Sequence, residues 1–320
     1  MAGRFAWLNG RLVKEEDAKI PVLDAAVLFG ETVTETVRTV CHAPFRAEAH
    51  LERLSRSLRA CRLEPPMAPQ ELARATRELI AGNEPSLAPG SDWRIDYNIT
   101  PGPYDLEREV SLGRPTVSIT ATPLPFAWFG PLYVRGCHVV TPITRWVPGA
   151  CIDPQIKHHS RMHYRIANRE AQLVDGGAVA LMLDLEGQVA ECTGGNFFIV
   201  QGDTLVTAAT TTVLGGITRE ETMTIARRLG LRVEERPFHL YDVYNADEAF
   251  QTSTPFFVMP VTKANRIAIA GGEVGRTTLR IMEGWNQVAG LDVVAQALSH
   301  IQGREREELE EARHKQLAAL

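Results

Sequence analysis

The chain has 320 residues, 44% of them hydrophobic and 23% charged, and a net charge of −5. That length can bury more than one core, and the composition is that of a globular protein. The negative balance, without any Lys/Arg stripe interleaved with aromatics, argues against nucleic-acid binding. No run of 18 apolar residues occurs, so no membrane span is expected. The start, Met-Ala-Gly-Arg-Phe-Ala-Trp-Leu-Asn-Gly-Arg, lacks the apolar core of a signal peptide. Five widely spaced cysteines, an odd number, read as reduced thiols. A cytoplasmic protein is the expectation.

In chain order, residues 5–13 read as a hairpin turning at Asn9-Gly10. Thr-Val-Thr-Glu-Thr-Val-Arg-Thr-Val is an alternating strand, with Val33, Glu35, Val37 and Thr39 on one face and Thr34, Thr36, Arg38 and Val40 on the other. A helix at 47–62 carries Leu51, Leu54, Leu58 and Cys61 on one stripe, and a second at 69–81 carries Leu72, Ala75, Leu79 and Ile80. Strands at 93–100 and 115–121 complete a small α/β domain over residues 1–124. Residues 125–134, where prolines and a glycine mix with aromatics, read as an interdomain linker.

A larger domain is expected over 135–300. It opens with a strand at 133–141 and then a helix that begins near Lys157 and ends at Gly176-Gly177. A three-strand meander should follow: 178–183, 188–200 without a break, and 204–207. Thr218-Arg-Glu-Glu221 reads as a capping box opening the next helix. An αβ pair at 241–252 and helices at 276–300 complete it. Residues 301–320 read as a charged helix or tail.

Candidate chemistry begins at Lys157. The chain has five lysines against 29 arginines, and Lys157 is the only lysine between Lys19 and Lys263. Arginine cannot replace a lysine that must form a Schiff base, because the guanidinium stays protonated and is a poor nucleophile. A surface charge near a helix start is the plain alternative. Gly215-Gly216-Ile217-Thr218 offers backbone N–H groups at a helix N-terminus, suited to an anion or to an ordinary capped turn. Glu191 lies on or beside a buried strand and there needs a cationic or hydrogen-bonding partner; an edge position facing water is the other reading. His159 and His163 stand four apart, but Ser160 replaces the glutamate a zinc protease needs and nothing completes a ligand set, so no metal is expected. No Gly-x-Ser-x-Gly, Walker or Gly-x-Gly-x-x-Gly motif is present.

Six blocks in order resemble the class IV (fold type IV) pyridoxal-phosphate enzymes, among them branched-chain and D-amino-acid aminotransferases, (R)-amine transaminases and aminodeoxychorismate lyases. They are Leu-Phe-Gly-Glu-Thr-Val-Thr-Glu-Thr-Val-Arg (28–38), His50-Leu-Glu-Arg53-Leu, Ile156-Lys157, Glu-Cys-Thr-Gly-Gly-Asn-Phe-Phe-Ile-Val (191–200), Leu-Gly-Gly-Ile-Thr-Arg (214–219), and Tyr-Asn-Ala-Asp-Glu-Ala-Phe (244–250) followed by Ser253-Thr254. The resemblance implies an α/β (α+β) fold of two domains, the larger with a β-rich core, and pyridoxal 5'-phosphate in the cleft between them. It also implies a homodimer. Lys157 would carry the cofactor as a Schiff base and Glu191 would pair with its pyridine nitrogen. Arg53, Asn196, Leu214, Gly216, Ile217, Thr218, Ser253 and Thr254 would complete the cofactor site.

The activity implied is transfer of an amino group from an amino acid or amine to a 2-oxo acid. A lyase acting on an aminated chorismate-like acid, or a cofactor-binding protein without turnover, are the alternatives. On the substrate side the family pattern breaks. Thr34 stands where branched-chain enzymes carry an aromatic, Arg94-Ile95-Asp96 replaces Tyr-x-Arg, and Thr-Ser-Thr-Pro-Phe-Phe (252–257) replaces Ser-Gly-Thr-Ala-Ala-Glu. Arg161 takes a position that is arginine in the lyases. Phe29, Thr34, Arg38, Arg94, Arg161 and Pro255 are the candidate substrate contacts.

Overall fold

The computed structural model describes residues 3–320, which divide into two compact units: residues 3–124 with Ile156–Arg161, and Pro125–Gln155 with Met162–Leu320. In the first unit a hairpin, β1 (Phe5–Leu8) and β2 (Arg11–Lys14), leads to α1 (Ala25–Phe29), which ends on left-handed Gly30. There follow β3 (Val33–Val40), β4 (Ala43–Pro44), α2 (Ala47–Ala60), α3 (Pro69–Asn83), β5 (Trp93–Thr100), the short pair β6 (Tyr104–Asp105) and β7 (Val110–Ser111), and β8 (Thr116–Pro123). The sheet runs β2-β1-β8-β5-β3-β4 and is antiparallel throughout.

Helix α2 packs on β3, and α3 packs on β1 and β8. Val33 and Val37 of β3 meet Leu51, Leu54 and Leu58 of α2 and Leu72 and Leu79 of α3 in one core. Each such leucine removed from water contributes roughly 1.5–3 kcal/mol. Glu35 shares the face of Val33 and Val37, so the alternation that builds this core also carries a carboxylate into it.

The second unit opens with α4 (Phe126–Arg135) and β9 (Cys137–Val140). Residues 125–134, expected as a linker, are therefore mostly helix; Phe126, Phe129, Tyr133 and Val134 are buried there, and the helix packs on later elements of this unit. Next come α5 (Met162–Val174), β10 (Val179–Leu183), β11 (Val189–Cys192), β12 (Gly195–Gln201), β13 (Thr204–Thr207), α6 (Ile217–Arg228), β14 (Arg232–Glu235), α7 (Leu240–Tyr244), β15 (Glu248–Ser253), β16 (Phe257–Ala264), β17 (Ile267–Ala268), α8 (Arg276–Ala289), α9 (Val293–Leu298) and α10 (Arg304–Ala318).

The strands run β11-β10-β9-β16-β15-β12-β13-β14, with β17 on β16. Strand β11 also pairs with β12, so six strands close on themselves into a ring with a mixed parallel and antiparallel ladder. Closure depends on a break that the alternation pattern does not announce. The expected continuous strand 188–200 is interrupted at Thr193-Gly194, where Gly194 adopts φ 106° and folds β11 back on β12. Helix α6 differs as well: Gly216 is its N-cap, with no side-chain cap, and Thr218 lies inside the first turn instead of capping it. No helix among the described residues is long and apolar enough to cross a membrane.

Candidate active site

Lys157 is not the start of a helix. Helix α5 begins five residues later, and residues 157–159 run extended along the open N-terminal end of β3. Strand β4 pairs only with Thr39 and Val40, so on that side the start of β3 is left to this segment. Thr34 N donates to the Lys157 carbonyl (2.9 Å), His159 N donates to the Thr32 carbonyl (2.9 Å), and Val33 bridges His158. Lys157 N donates to Ser57 Oγ on α2 (3.2 Å). These backbone bonds explain why the segment belongs with the first unit.

Arg53, one turn before Ser57, faces the same way. Its Nε donates to Glu35 Oε2 (2.9 Å) and an Nη to Oε1 (2.8 Å), a two-point fork on a fully buried carboxylate. His50 Nδ1 lies 3.0 Å from the same Oε1. Burial pulls the Glu35 carboxyl upward, but the Arg53 charge and the bonds from Arg53 and His50 outweigh it and hold it well below the usual range. Burial lowers His50, against the opposing pull of Glu35. Lys157 is lowered to about 7, by burial and then by the Arg161 cation, with Glu35 pulling the other way. Partial desolvation and then the Arg161 cation lower His159 as well.

The second unit holds the other group. Glu191 lies on the β11–β12 hairpin directly opposite Asn196 and is 4% exposed. Asn196 Nδ2 donates to Glu191 Oε2 (2.8 Å) and Tyr164 Oη donates to Oε1 (3.3 Å). The same Asn196 nitrogen donates to the Leu214 carbonyl (2.8 Å), just before the turn that opens α6. Gln155 holds that turn as well, donating to the Thr210 and Val213 carbonyls and accepting from Gly215 N (3.2 Å). At α6 the backbone N–H groups of Ile217 and Thr218 fall among the first N–H groups of a helix, which have no intrahelical acceptor. Ser253 Oγ is engaged with the Gly194 carbonyl (2.7 Å), and Thr254 and Pro255 are half-buried in the turn after β15.

Among the substrate candidates, Arg38 is excluded by burial. It is 0% exposed, with Nε donating to the Thr39 carbonyl and an Nη 4.0 Å from Asp92, so it serves folding. The Thr34 hydroxyl donates to the Tyr97 carbonyl (2.9 Å). Arg94 pairs with Asp96 (2.8 Å), which also accepts from Thr36 Oγ1 (2.7 Å). Phe29 is 56% exposed and meets the edge of Tyr104 at 5.1 Å. Arg161 is half-buried, and its charge acts on Lys157 and His159. Glu35, His50, Ser57, Tyr164 and Gln155 join the site without a sequence motif of their own that marks a role. Glu35 carries a usable signal: a carboxylate on the apolar face of an alternating strand requires a cation, which Arg53 supplies, with the His50 ring three residues earlier on the same helix face as a further hydrogen-bond partner.

The family model for class IV amino-transferases matches residues 32–264, more than half of the chain. The chain belongs to the class IV aminotransferases. Family members use pyridoxal phosphate. A branched-chain-amino-acid aminotransferase of Pseudomonas aeruginosa is 29% identical over 291 residues, 87% of this chain and 91% of that protein. Among solved structures, the Escherichia coli branched-chain aminotransferase superposes with a TM-score of 0.82 at 26% identity, covering 89% of this chain and 94% of that one. The branched-chain aminotransferase of Thermoproteus uzoniensis, solved with norvaline, gives 0.81 at 29% identity, covering 90% and 96%. The fold type IV architecture, with its α/β first unit and β-rich second unit, follows from the same matches.

The residues fit that cofactor group by group. An aldehyde needs an amine that is partly neutral near pH 7, and Lys157 is lowered to about 7. A pyridine nitrogen needs a held carboxylate, and the Glu191 carboxylate is held by Asn196 and Tyr164. A phosphate needs close approach to backbone N–H groups. The first N–H groups of α6, at Ile217 and Thr218, are of that kind, and Gly216 before them has no room for a Cβ, which would collide with Asn196 Oδ1.

Proposed function

We propose that this class IV aminotransferase uses Lys157 as its Schiff-base lysine and Glu191 as the partner of the pyridine nitrogen. Arg53, Asn196, Leu214, Gly216, Ile217, Thr218, Ser253 and Thr254 form or shape the rest of the cofactor site. The cofactor supplies an electron sink for the bond-breaking at the substrate carbon. Lys157 Nζ takes the Cα proton of the amino donor, a task suited to an amine whose pKa lies near neutrality. Glu191, fixed by Asn196 and Tyr164, holds the ring nitrogen protonated. In this reading the phosphate ligands are the Arg53 cation, which Glu35 orients, and the backbone N–H groups of Ile217 and Thr218 at the α6 N-terminus. The observation that carries the reading is the placement of Lys157, pinned through its backbone to β3 and α2, with desolvation and the Arg161 cation lowering its amine.

The acceptor is a 2-oxo acid, and Arg161 and Arg94 are the arginines we assign to the substrate side. The enzyme is cytoplasmic and a homodimer in this reading. Exposed apolar residues support the dimer: Val22, Leu23, Val27 and Phe29 lie beside the segment carrying Leu106 and Val110, joined to it by the Tyr104 N to Leu23 carbonyl bond.

A panel of L-amino acids, D-amino acids and (R)-amines tests the activity. The purified yellow protein should lose its visible band with at least one class of donor and regain it with a 2-oxo acid. Pyruvate release from aminodeoxychorismate without such bleaching would replace the transaminase reading by the lyase.

A further inference from the structure

Asn196 has both hydrogens of its amide engaged inside the chain, one on Glu191 Oε2 and one on the Leu214 carbonyl, each at 2.8 Å. Its orientation is chemically fixed. A carboxylate and a carbonyl only accept, so the nitrogen must face them and Oδ1 must face the other way. There Oδ1 lies against Gly216, leaving no room for a Cβ at that position. The side chain is thus enclosed on three sides, by the β11–β12 hairpin, by the carbonyl before the turn, and by the N-cap of α6; the residue is 4% exposed. Cross-strand pairing with Glu191 sets its root, because residues directly opposite in an antiparallel pair project to the same face.

We propose that Asn196 is a positioning residue that ties the Glu191 carboxylate to the α6 N-terminal turn and so fixes the spacing between them. The inference rests on the proposed cofactor site, in which Glu191 takes the ring nitrogen and the turn takes the phosphate. A rigid ligand carrying both groups is bound well only if both ends are met at once. Asn196 supplies that condition through its bonds to Glu191 and to the Leu214 carbonyl.

The test compares pyridoxal phosphate with pyridoxal, which lacks the phosphate, as ligands of cofactor-stripped protein, followed by visible absorbance. In the wild type the phosphate should improve affinity strongly. Asn196→Ala should weaken pyridoxal phosphate binding about ten- to a hundred-fold, the range for losing a hydrogen bond to a charged group. Pyridoxal should weaken much less, so the ratio of the two dissociation constants shrinks. Asn196→Leu keeps roughly the size, removes both donors without adding a charge beside Glu191, and should shrink the ratio in the same way. A loss confined to general stability would lower the melting temperature and leave the ratio intact; that result, in either variant, overturns the inference alone. A wild-type protein that takes up neither aldehyde overturns the proposed site and this inference with it.

Discussion

The two units each bury a glutamate, and they satisfy it by opposite means. In the first, Glu35 meets a cation: the Arg53 fork grips both oxygens, with His50 beside it. In the second, Glu191 is held by an amide and a phenol, from Asn196 and Tyr164. A buried ion pair cancels charge and fixes two side chains, and its value shows mainly when one partner is removed. Neutral donors orient a carboxylate without cancelling its charge, the better arrangement for a group that must hold a cationic ring. In the proposed site Glu35 is thus a residue of the fold that aims Arg53, and Glu191 takes the chemical role.

The largest effect that could break this contrast comes from Lys157 itself. Lys157→Ala should abolish the visible band and lower transamination by at least about 10²–10⁴-fold, the range for losing a positioned acid–base group. Glu191→Gln should keep the cofactor, by absorbance, and lose roughly 10²–10³-fold in turnover, as for loss of a preorganised electrostatic contact. Near-native turnover in that variant would remove the functional half of the comparison. Glu35→Gln should act on stability, costing ~3–5 kcal/mol in urea unfolding because Arg53 is left buried beside a neutral amide.

The sign of its pH dependence is also fixed. The folded Glu35 carboxyl lies below its ordinary value of 4.5, so its stabilisation is complete above that pH and fades as pH falls below it. The gap between wild type and Glu35→Gln should narrow in acid; a constant gap would show that the fork is not what stabilises. Gly216→Ala should cost about 1–3 kcal/mol by forcing a methyl onto Asn196 Oδ1, read as a lowered melting temperature with weaker cofactor binding. The smallest effect concerns the rate of cofactor uptake. Capture by stripped protein should speed up as pH rises through about 7, where Lys157 becomes neutral. Arg161→Leu should move that midpoint upward, because a cation that favours the neutral amine has gone; a fixed midpoint would exclude Arg161 as the cause.

Much of this was legible in the residues. Alternation at 33–40 and the Leu51/Leu54/Leu58 stripe define β3, α2 and their core, since one strand face and one helix stripe must be buried. The order of the lysine, glutamate and glycine–isoleucine–threonine blocks marks the family. What escaped was set by tertiary pairing. Nothing local distinguishes Lys157 at a helix start from Lys157 on an extended segment; the open end of β3, distant in sequence, decides it. The break at Gly194 is visible as Gly-Gly, but only closure of the ring requires it. Arg38 looked like a substrate contact because burial cannot be read from a polar face whose cover lies elsewhere in the chain.

Borohydride reduction of the yellow protein, followed by peptide mapping, identifies the Schiff-base lysine. The chain offers Lys14, Lys19, Lys263 and Lys315 as alternatives to Lys157. One reduced pyridoxyl group per chain is expected, on Lys157; a label on any other lysine, with Lys157 unmodified, would contradict its assignment as the Schiff-base residue.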